Sequence, residues 1–185
     1  MNVFDRGFYD SGELKEMGFK SVGINVSVSK MCSIFGCKNI SFGDNCRIDD
    51  FAVINAESGY LKLGMYVHVA AHTVIVAGSG IVIGDFSGMS HGAKLYSVSE
   101  SVFGNGLSNP TLPKKLRQYE AGKVVIGRYV VLGANSVVLP STTVGDGVLL
   151  SAQSTLNKDA SDWGLYHGVP AKRVANLERK TLDFR

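Results

Sequence analysis

Between Ile126 and Leu156 an aliphatic side chain returns at every sixth residue: Ile126, Leu132, Val138, Val144, Leu150 and Leu156. Two positions ahead of the aliphatic residues runs a smaller or β-branched set, Val130, Ser136, Thr142, Val148 and Ser154. A period of six fits neither the 3.6-residue turn of a helix nor the alternation of an isolated strand. It fits a short strand plus a turn, with three such units closing one triangular coil of a parallel β-solenoid. Each coil hides its apolar residues only by stacking on the next, so the pattern has to run on along the chain.

It does run on. Towards the N-terminus the aliphatic positions group in threes: Val22, Val28, Ile34; Phe42, Ile48, Ile54; Leu63, Val69, Ile75; Ile83, Met89, Leu95. Within a trio the step is six; between trios it is eight or nine, so two or three extra residues enter at the same corner each time. The small set persists as Val26, Cys32, Cys46, Ala52, Val67, Thr73, Ser87 and Ala93. The expectation is an all-β chain of six coils over residues 22–156, a prism roughly 25–30 Å tall at about 4.8 Å per layer. One excursion, residues 96–125, interrupts it, and because the coils resume in register this loop is expected to reach outward.

The ends are read as caps on one domain. Residues 1–21 precede the repeat, and Ser11–Met17 reads as a short helix with Ser11 as N-cap and Leu14 and Met17 on one face. It would cover the strand edges of the first coil. After Leu156 the chain is expected to leave the prism. Residues 157–185 then form an exit segment and an α-helix over Ala171–Asp183.

Composition narrows the class. With 22 Gly and 4 Pro the chain has many turns but no Gly-X-Y period. A net charge of +3 with interspersed signs gives no case for nucleic acid. There is no 18-residue apolar run, and Met1–Arg6 lacks a signal-peptide pattern, so we expect no membrane insertion and a cytoplasmic location. Three cysteines without a Cys-x-x-Cys pair suit a reduced protein, with Cys32 and Cys46 as packing residues.

The hexads with Ile/Leu-Gly-x-x-Val, the pair Gly133-Ala134 beside Ser151-Ala152, and the ending Gly168-Val169-Pro170-Ala171-Lys172 resemble the hexapeptide acyltransferases. The resemblance implies a left-handed parallel β-helix, a homotrimer, and acyl-CoA in the grooves between subunits. A narrower likeness rests on Arg47–Phe51, His68-Val69-Ala70-Ala71, Gly84-Asp85-Phe86, Tyr96-Ser97 and Asn109-Pro110-Thr111. It points to bacterial enzymes that acylate nucleotide-linked 4-amino-4,6-dideoxy sugars for surface polysaccharide such as O-antigen. That group commonly carries two adjacent carboxylates after its Tyr-Ser; this chain has one there, Glu100. The implied acyl donor is acetyl-CoA, with no metal.

Acyl transfer from a thioester needs a proton acceptor for the nucleophile and donors for the developing oxyanion. Register puts Asp50, Ala71, His91, Ala134 and Ala152 on one edge, flanked by Asp49, His72 and Ser90. In the family the Ala of the Gly-Ala pair lines the pantetheine path, which implies cofactor contacts at Gly133, Ala134, Ser151 and Ala152. Lys172 and Arg173 are then suited to the CoA phosphates. His91 is the first candidate base and His72 the second, with Ser90 and Glu100 completing the catalytic set. Asp49, Asp50 and His68 are candidate acceptor-binding residues. The plain alternatives are turn aspartates, exposed turn histidines and a solvated loop glutamate. O-acylation of a saccharide hydroxyl, a non-catalytic scaffold and a metal-dependent carbonic anhydrase are the competing functions. The four His lack metal-ligand spacing.

Overall fold

The structure, a computed structural model, describes residues 6–100, 107 and 109–179. Three parallel sheets form the walls of a prism. The first face stacks Ser27–Ser29, Arg47–Ile48, His68–Val69, Gly88–Met89, Val131–Leu132, Leu149–Leu150 and Gly164–Gly168. The second runs from Ser33–Phe35 to Thr155–Leu156 and the third from Ser21–Val22 to Thr143–Val144, six strands each. Six coils are therefore complete, as the period requires.

The core follows the two sets of the repeat. Ile48, Ile54, Val69, Ile75, Leu95, Val138, Val144 and Leu150 are each 0% exposed, and so are the small-set residues Ala52, Thr73, Ala93, Val130, Thr142, Val148 and Ser154. On the third face the small residue gives way to Ile40, Leu61, Ile81 and Val124, all buried. There the strand is three residues long and presents two side chains inward. Within the small set Thr73 Oγ1 donates to the Ala70 carbonyl, and Ser87 Oγ donates to the Gly127 carbonyl and accepts from Val130 N–H, whereas the Ser136 and Thr142 hydroxyls are buried with no hydrogen-bond partner among the described residues.

The corner before the first face holds a ladder. Asn25, Asn45, Tyr66, Phe86, Tyr129 and Trp163 all take left-handed φ there. Tyr66, Phe86 and Tyr129 stack at 5.2 and 5.4 Å between centroids, and Trp163 reaches Tyr129 at 6.2 Å. Gly147 lies between them in the stack, and a Cβ on it would meet the Trp163 ring at 2.3 Å. An aspartate from the next coil caps this turn: Asp44 accepts from Ile24 N–H, Asp85 from Met65 N–H and Asp146 from Arg128 N–H.

Several expectations are corrected at the ends. The helix is Ser11–Glu16, and its N-cap is Asp10, not Ser11. Asp10 accepts from Gly12 and Glu13 N–H while Glu13 accepts from Asp10 N–H, a reciprocal capping box. Ser11 Oγ instead accepts from Val26 N–H, which ties the helix to the first coil. Leu14 is buried, whereas Met17 is exposed.

The chain also does not leave the prism at Leu156. Ala160 bridges to Val144 and Leu165-Tyr166 pairs with Leu149-Leu150, making a partial seventh coil. Where a C-terminal α-helix was expected, Ala171–Asn176 is a strand running antiparallel to Gly164–Gly168. The last coil would otherwise expose a row of unpaired backbone groups, and pairing that edge outweighs the weak helix preference of Ala-Lys-Arg-Val-Ala-Asn. Residues 180–183 of that expected helix lie outside the described residues.

The excursion is tethered rather than projecting freely. Val98–Glu100 and Tyr119–Ala121 form an antiparallel pair, and Gly122 N–H donates to the Ser97 carbonyl at its root. Residues 101–106 and 108 of the excursion lie outside the described residues.

The cysteines carry a prediction. Burial pushes the Cys32 thiol up to about 11, and burial also raises that of Cys46. At pH 8 roughly one Cys32 in a thousand is thiolate. Iodoacetamide on the native protein is expected to add at most one group, at half-buried Cys37, by intact mass. A second adduct before unfolding would place Cys32 or Cys46 outside the core, and a third would place both there.

Candidate active site

The first face presents two outward columns, because side chains alternate along each strand. One column runs Ser27, Arg47, His68, Gly88, Val131 and Leu149. Asp49, one residue past the strand in its coil, sits between two members of that column. Its carboxylate accepts from Arg47 Nε at 2.6 Å and contacts His68 Nε2 at 2.7 Å. Burial by itself would raise the Asp49 carboxyl, but the hydrogen bonds and charges of Arg47 and His68 outweigh it and hold it below the ordinary carboxylate range. Arg47 is held from its other side by the Phe8 ring, 4.7 Å from its guanidinium.

The corner after the first face stacks Asp50, Ala71, His91, Ala134 and Ala152 in one line. Backbone bonds give the register: His72 N–H donates to the Asp50 carbonyl, Gly92 N–H to Ala71, Asn135 N–H to His91 and Gln153 N–H to Ala134. Asp50 is engaged by the hydroxyl of Ser29. His72 takes left-handed φ and lies flat on Phe51, with centroids 5.1 Å apart. His91 is exposed. Gly133 is dictated by stacking, since a Cβ on it would come within 2.4 Å of Ala152 N.

A groove of ≈ 170 Å³ joins the column to the corner. His68, Gly88, Ser90, His91 and Val131 are among its walls. Beside it a hollow of ≈ 310 Å³ is lined by Arg47, Asp49, Tyr66 and His68. His68 borders both.

The structure does not gather every candidate here. Glu100 lies in the excursion, paired with Arg117 at 2.6 Å. The two border a ≈ 700 Å³ cavity with Asn55, Val76 and Tyr96 of the second face. Glu100 Oε2 and Arg117 Nε are buried there without a hydrogen-bond partner among the described residues. Lys172 is exposed on the last strand, opposite His167. The Arg173 guanidinium is already committed to the Asp162 and Trp163 carbonyls. No group of three His, Cys, Asp or Glu among the described residues is placed to hold a metal ion. No helix there is long and apolar enough to cross a membrane.

Sequence reasoning missed Arg47 and Arg117 as site residues. It also missed the contact between Asp49 and His68, which are 19 residues apart. The signal was present: positions 47 and 68 share one register of the repeat, so Arg47 and His68 are vertical neighbours, and Asp49, two residues past Arg47, points out of the same face.

Residues 123–158 match the family model described as bacterial transferase hexapeptide (six repeats). The chain belongs to the hexapeptide-repeat acyltransferases. Among its members it is 38% identical to a dTDP-4-amino-4,6-dideoxy-D-glucose acyltransferase of Escherichia coli, over 96% of this chain and 92% of that protein. It is also similar to AntD, an N-acyltransferase from Bacillus cereus solved with dTDP and 3-hydroxybutyryl-CoA. Their TM-score is 0.89 at 38% identity, covering 94% of this chain and 92% of AntD. A single-residue variant of AntD solved with dTDP-4-amino-4,6-dideoxyglucose and coenzyme A superposes at TM-score 0.90, with 36% identity and the same coverage of both chains.

Proposed function

We propose that this protein transfers an acetyl group from acetyl-CoA to the amino group of a nucleotide-linked amino-deoxy sugar such as dTDP-4-amino-4,6-dideoxyglucose. The observation that carries the reading is the E. coli relative named for that acceptor, matched over 96% of this chain. The corner supports it. Ala134 and Ala152 leave the edge clear of large side chains, so an extended pantetheine arm can lie along Gly133, Ala134, Ser151 and Ala152. Lys172 would meet the CoA phosphates, with Arg173 bracing the strand beside it.

His91 and Ser90 are then the catalytic residues at the thioester end of the groove, where an imidazole and a hydroxyl can donate to the developing oxyanion. His72 stands one coil below as the second candidate. Asp49, Asp50 and His68 face the acceptor, whose ammonium group is attracted at long range by the two aspartate carboxylates. Glu100 acts from the excursion, across a subunit boundary. The working unit is a homotrimer in the cytoplasm, each groove receiving its second wall from a neighbour, and the product serves surface polysaccharide such as O-antigen.

The test is purified protein with acetyl-CoA, a thiol reagent, and a panel of amino-sugar and hydroxyl-sugar nucleotides, with light scattering in parallel. CoA release specific to an amino sugar from a trimer is expected. His91→Ala is expected to lower kcat about 10²-fold or more while leaving the melting temperature unchanged. Turnover only with hydroxyl acceptors, or full activity from a monomer, would reject the reading.

A further inference from the structure

Gly88 has no structural reason to be glycine. It sits inside a strand, where glycine weakens pairing and packs nothing. Its φ is not left-handed, and a Cβ placed on it meets no atom within 4 Å. The positions stacked with it, Ser27, Arg47, His68, Val131 and Leu149, all carry side chains. The column therefore has one gap, directly between His68 and Val131. A strand glycine that no backbone neighbour demands marks the close approach of something else.

The His68 ring borders that gap and is held from behind. With Nε2 donating to Asp49 Oδ2, the neutral ring keeps its other nitrogen, Nδ1, as a basic lone pair. Asp49 is in turn held by Arg47. The titratable or charged groups around the ring are Arg47, Asp49 and Tyr66 on the hollow side and His91 at the far end of the groove. By contrast, the His91 ring has no hydrogen-bond partner among the described residues that would set its tautomer.

Resting on the acyltransferase reading above, we propose that the acceptor's amino-bearing carbon seats over Gly88 and that His68, oriented by Asp49, takes the ammonium proton. The step balances. Neutral His68 removes one proton from R–NH₃⁺, and the amine nitrogen bonds the thioester carbonyl carbon. The C–S bond then breaks, and the second proton leaves with sulfur as CoA–SH. The imidazolium returns its proton to solvent. In this step Asp49 acts on the reacting atoms only through the His68 ring and is a positioning residue.

The experiment is a pH–rate profile with acetyl-CoA and dTDP-4-amino-4,6-dideoxyglucose, for the wild type, His68→Gln, Asp49→Asn, Gly88→Val and His91→Ala. At pH 7.5 His68→Gln is expected to lower kcat about 10²-fold or more, with the KM for acetyl-CoA within about threefold. The deficit should shrink to less than about threefold by pH 9.5, where the free amine needs no protein base. Asp49→Asn should lose about tenfold with the same alkaline rescue. Gly88→Val should raise the acceptor KM at least about tenfold at unchanged melting temperature and oligomeric state.

His68→Gln near wild-type rate, or reduced equally at every pH, would overturn the assignment, as would alkaline rescue confined to His91→Ala. A Gly88→Val protein that loses its subunits would make the gap a packing surface and overturn the seat. A wild type that acetylates no amine rejects the functional reading and this proposal with it, whereas an active wild type indifferent to His68 rejects the proposal alone.

Discussion

Leu132→Asp is expected to leave no folded protein to assay. Leu132 is 1% exposed and lies between Met89 and Leu150 in the first-face stack. Its own carbonyl and the Gly133 N–H are already bonded to the coils on either side, so a carboxylate there finds neither water nor a free donor. Loss of the leucine alone costs about 2–5 kcal/mol, and an unpaired buried carboxylate adds several more. Together these approach the roughly 5–15 kcal/mol that holds a domain folded. Val131, one residue earlier, is 45% exposed, so Val131→Asp should change the melting temperature by only a few degrees. A soluble Leu132→Asp protein with a cooperative melt at the wild-type temperature would mean that the inward and outward positions are exchanged.

That contrast explains why the fold was legible. In a solenoid the inward position recurs at a constant step, so Leu132 and Val131 are told apart by counting, and each coil repeats the evidence. Where repetition stops, local preference becomes the guide, and it misled. Ala171–Asn176 has the composition of a helix, but the strand it forms answers an exposed sheet edge that no window of six residues reveals. The partial seventh coil was readable in principle, because Ala160 and Tyr166 keep the six-residue step and Asp162 repeats the turn aspartate of Asp146. A step of four rather than six, from Leu156 to Ala160, hid it.

The candidate site was legible as a register and not as a set of contacts. Counting placed Asp50, Ala71, His91 and Ala134 on one edge, and the backbone bonds join them in that order. Counting cannot tell which side chains pair. Asp50 is taken by Ser29, His72 by Phe51, and Glu100 by Arg117. Each is a choice of rotamer and neighbour made after the coils are stacked. The gap at Gly88 was likewise invisible, since a glycine in sequence does not say whether its missing side chain would have met protein or open space.

Replacing Val98–Ala121 by a single glycine is expected to preserve the prism and abolish acyl transfer. The two ends of the excursion already touch: Gly122 N–H donates to the Ser97 carbonyl. One coil earlier the same corner passes from Val74–Val76 to Ile81–Ile83 through Ala77-Gly78-Ser79-Gly80. Ser97, the inserted glycine, Gly122 and Lys123 restore a connection of that length, and Lys94–Tyr96 and Val124–Ile126 keep their partners above and below. The core residues Leu95, Val124 and Ile126 are untouched, and a shorter loop costs less closure entropy. Melting is therefore expected within a few degrees of wild type. The deletion removes Glu100 and Arg117, together with the walls they give the ≈ 700 Å³ cavity. Their buried Oε2 and Nε atoms lack partners among the described residues, an arrangement whose desolvation cost is recovered when a ligand or a neighbouring subunit supplies a donor and an acceptor. With positioning of the acceptor lost, kcat/KM should fall by about 10³ or more. A deletion protein that melts normally and still acetylates its acceptor at near wild-type rate would show that the groove at His68, Gly88 and His91 is sufficient on its own and that the excursion serves another purpose.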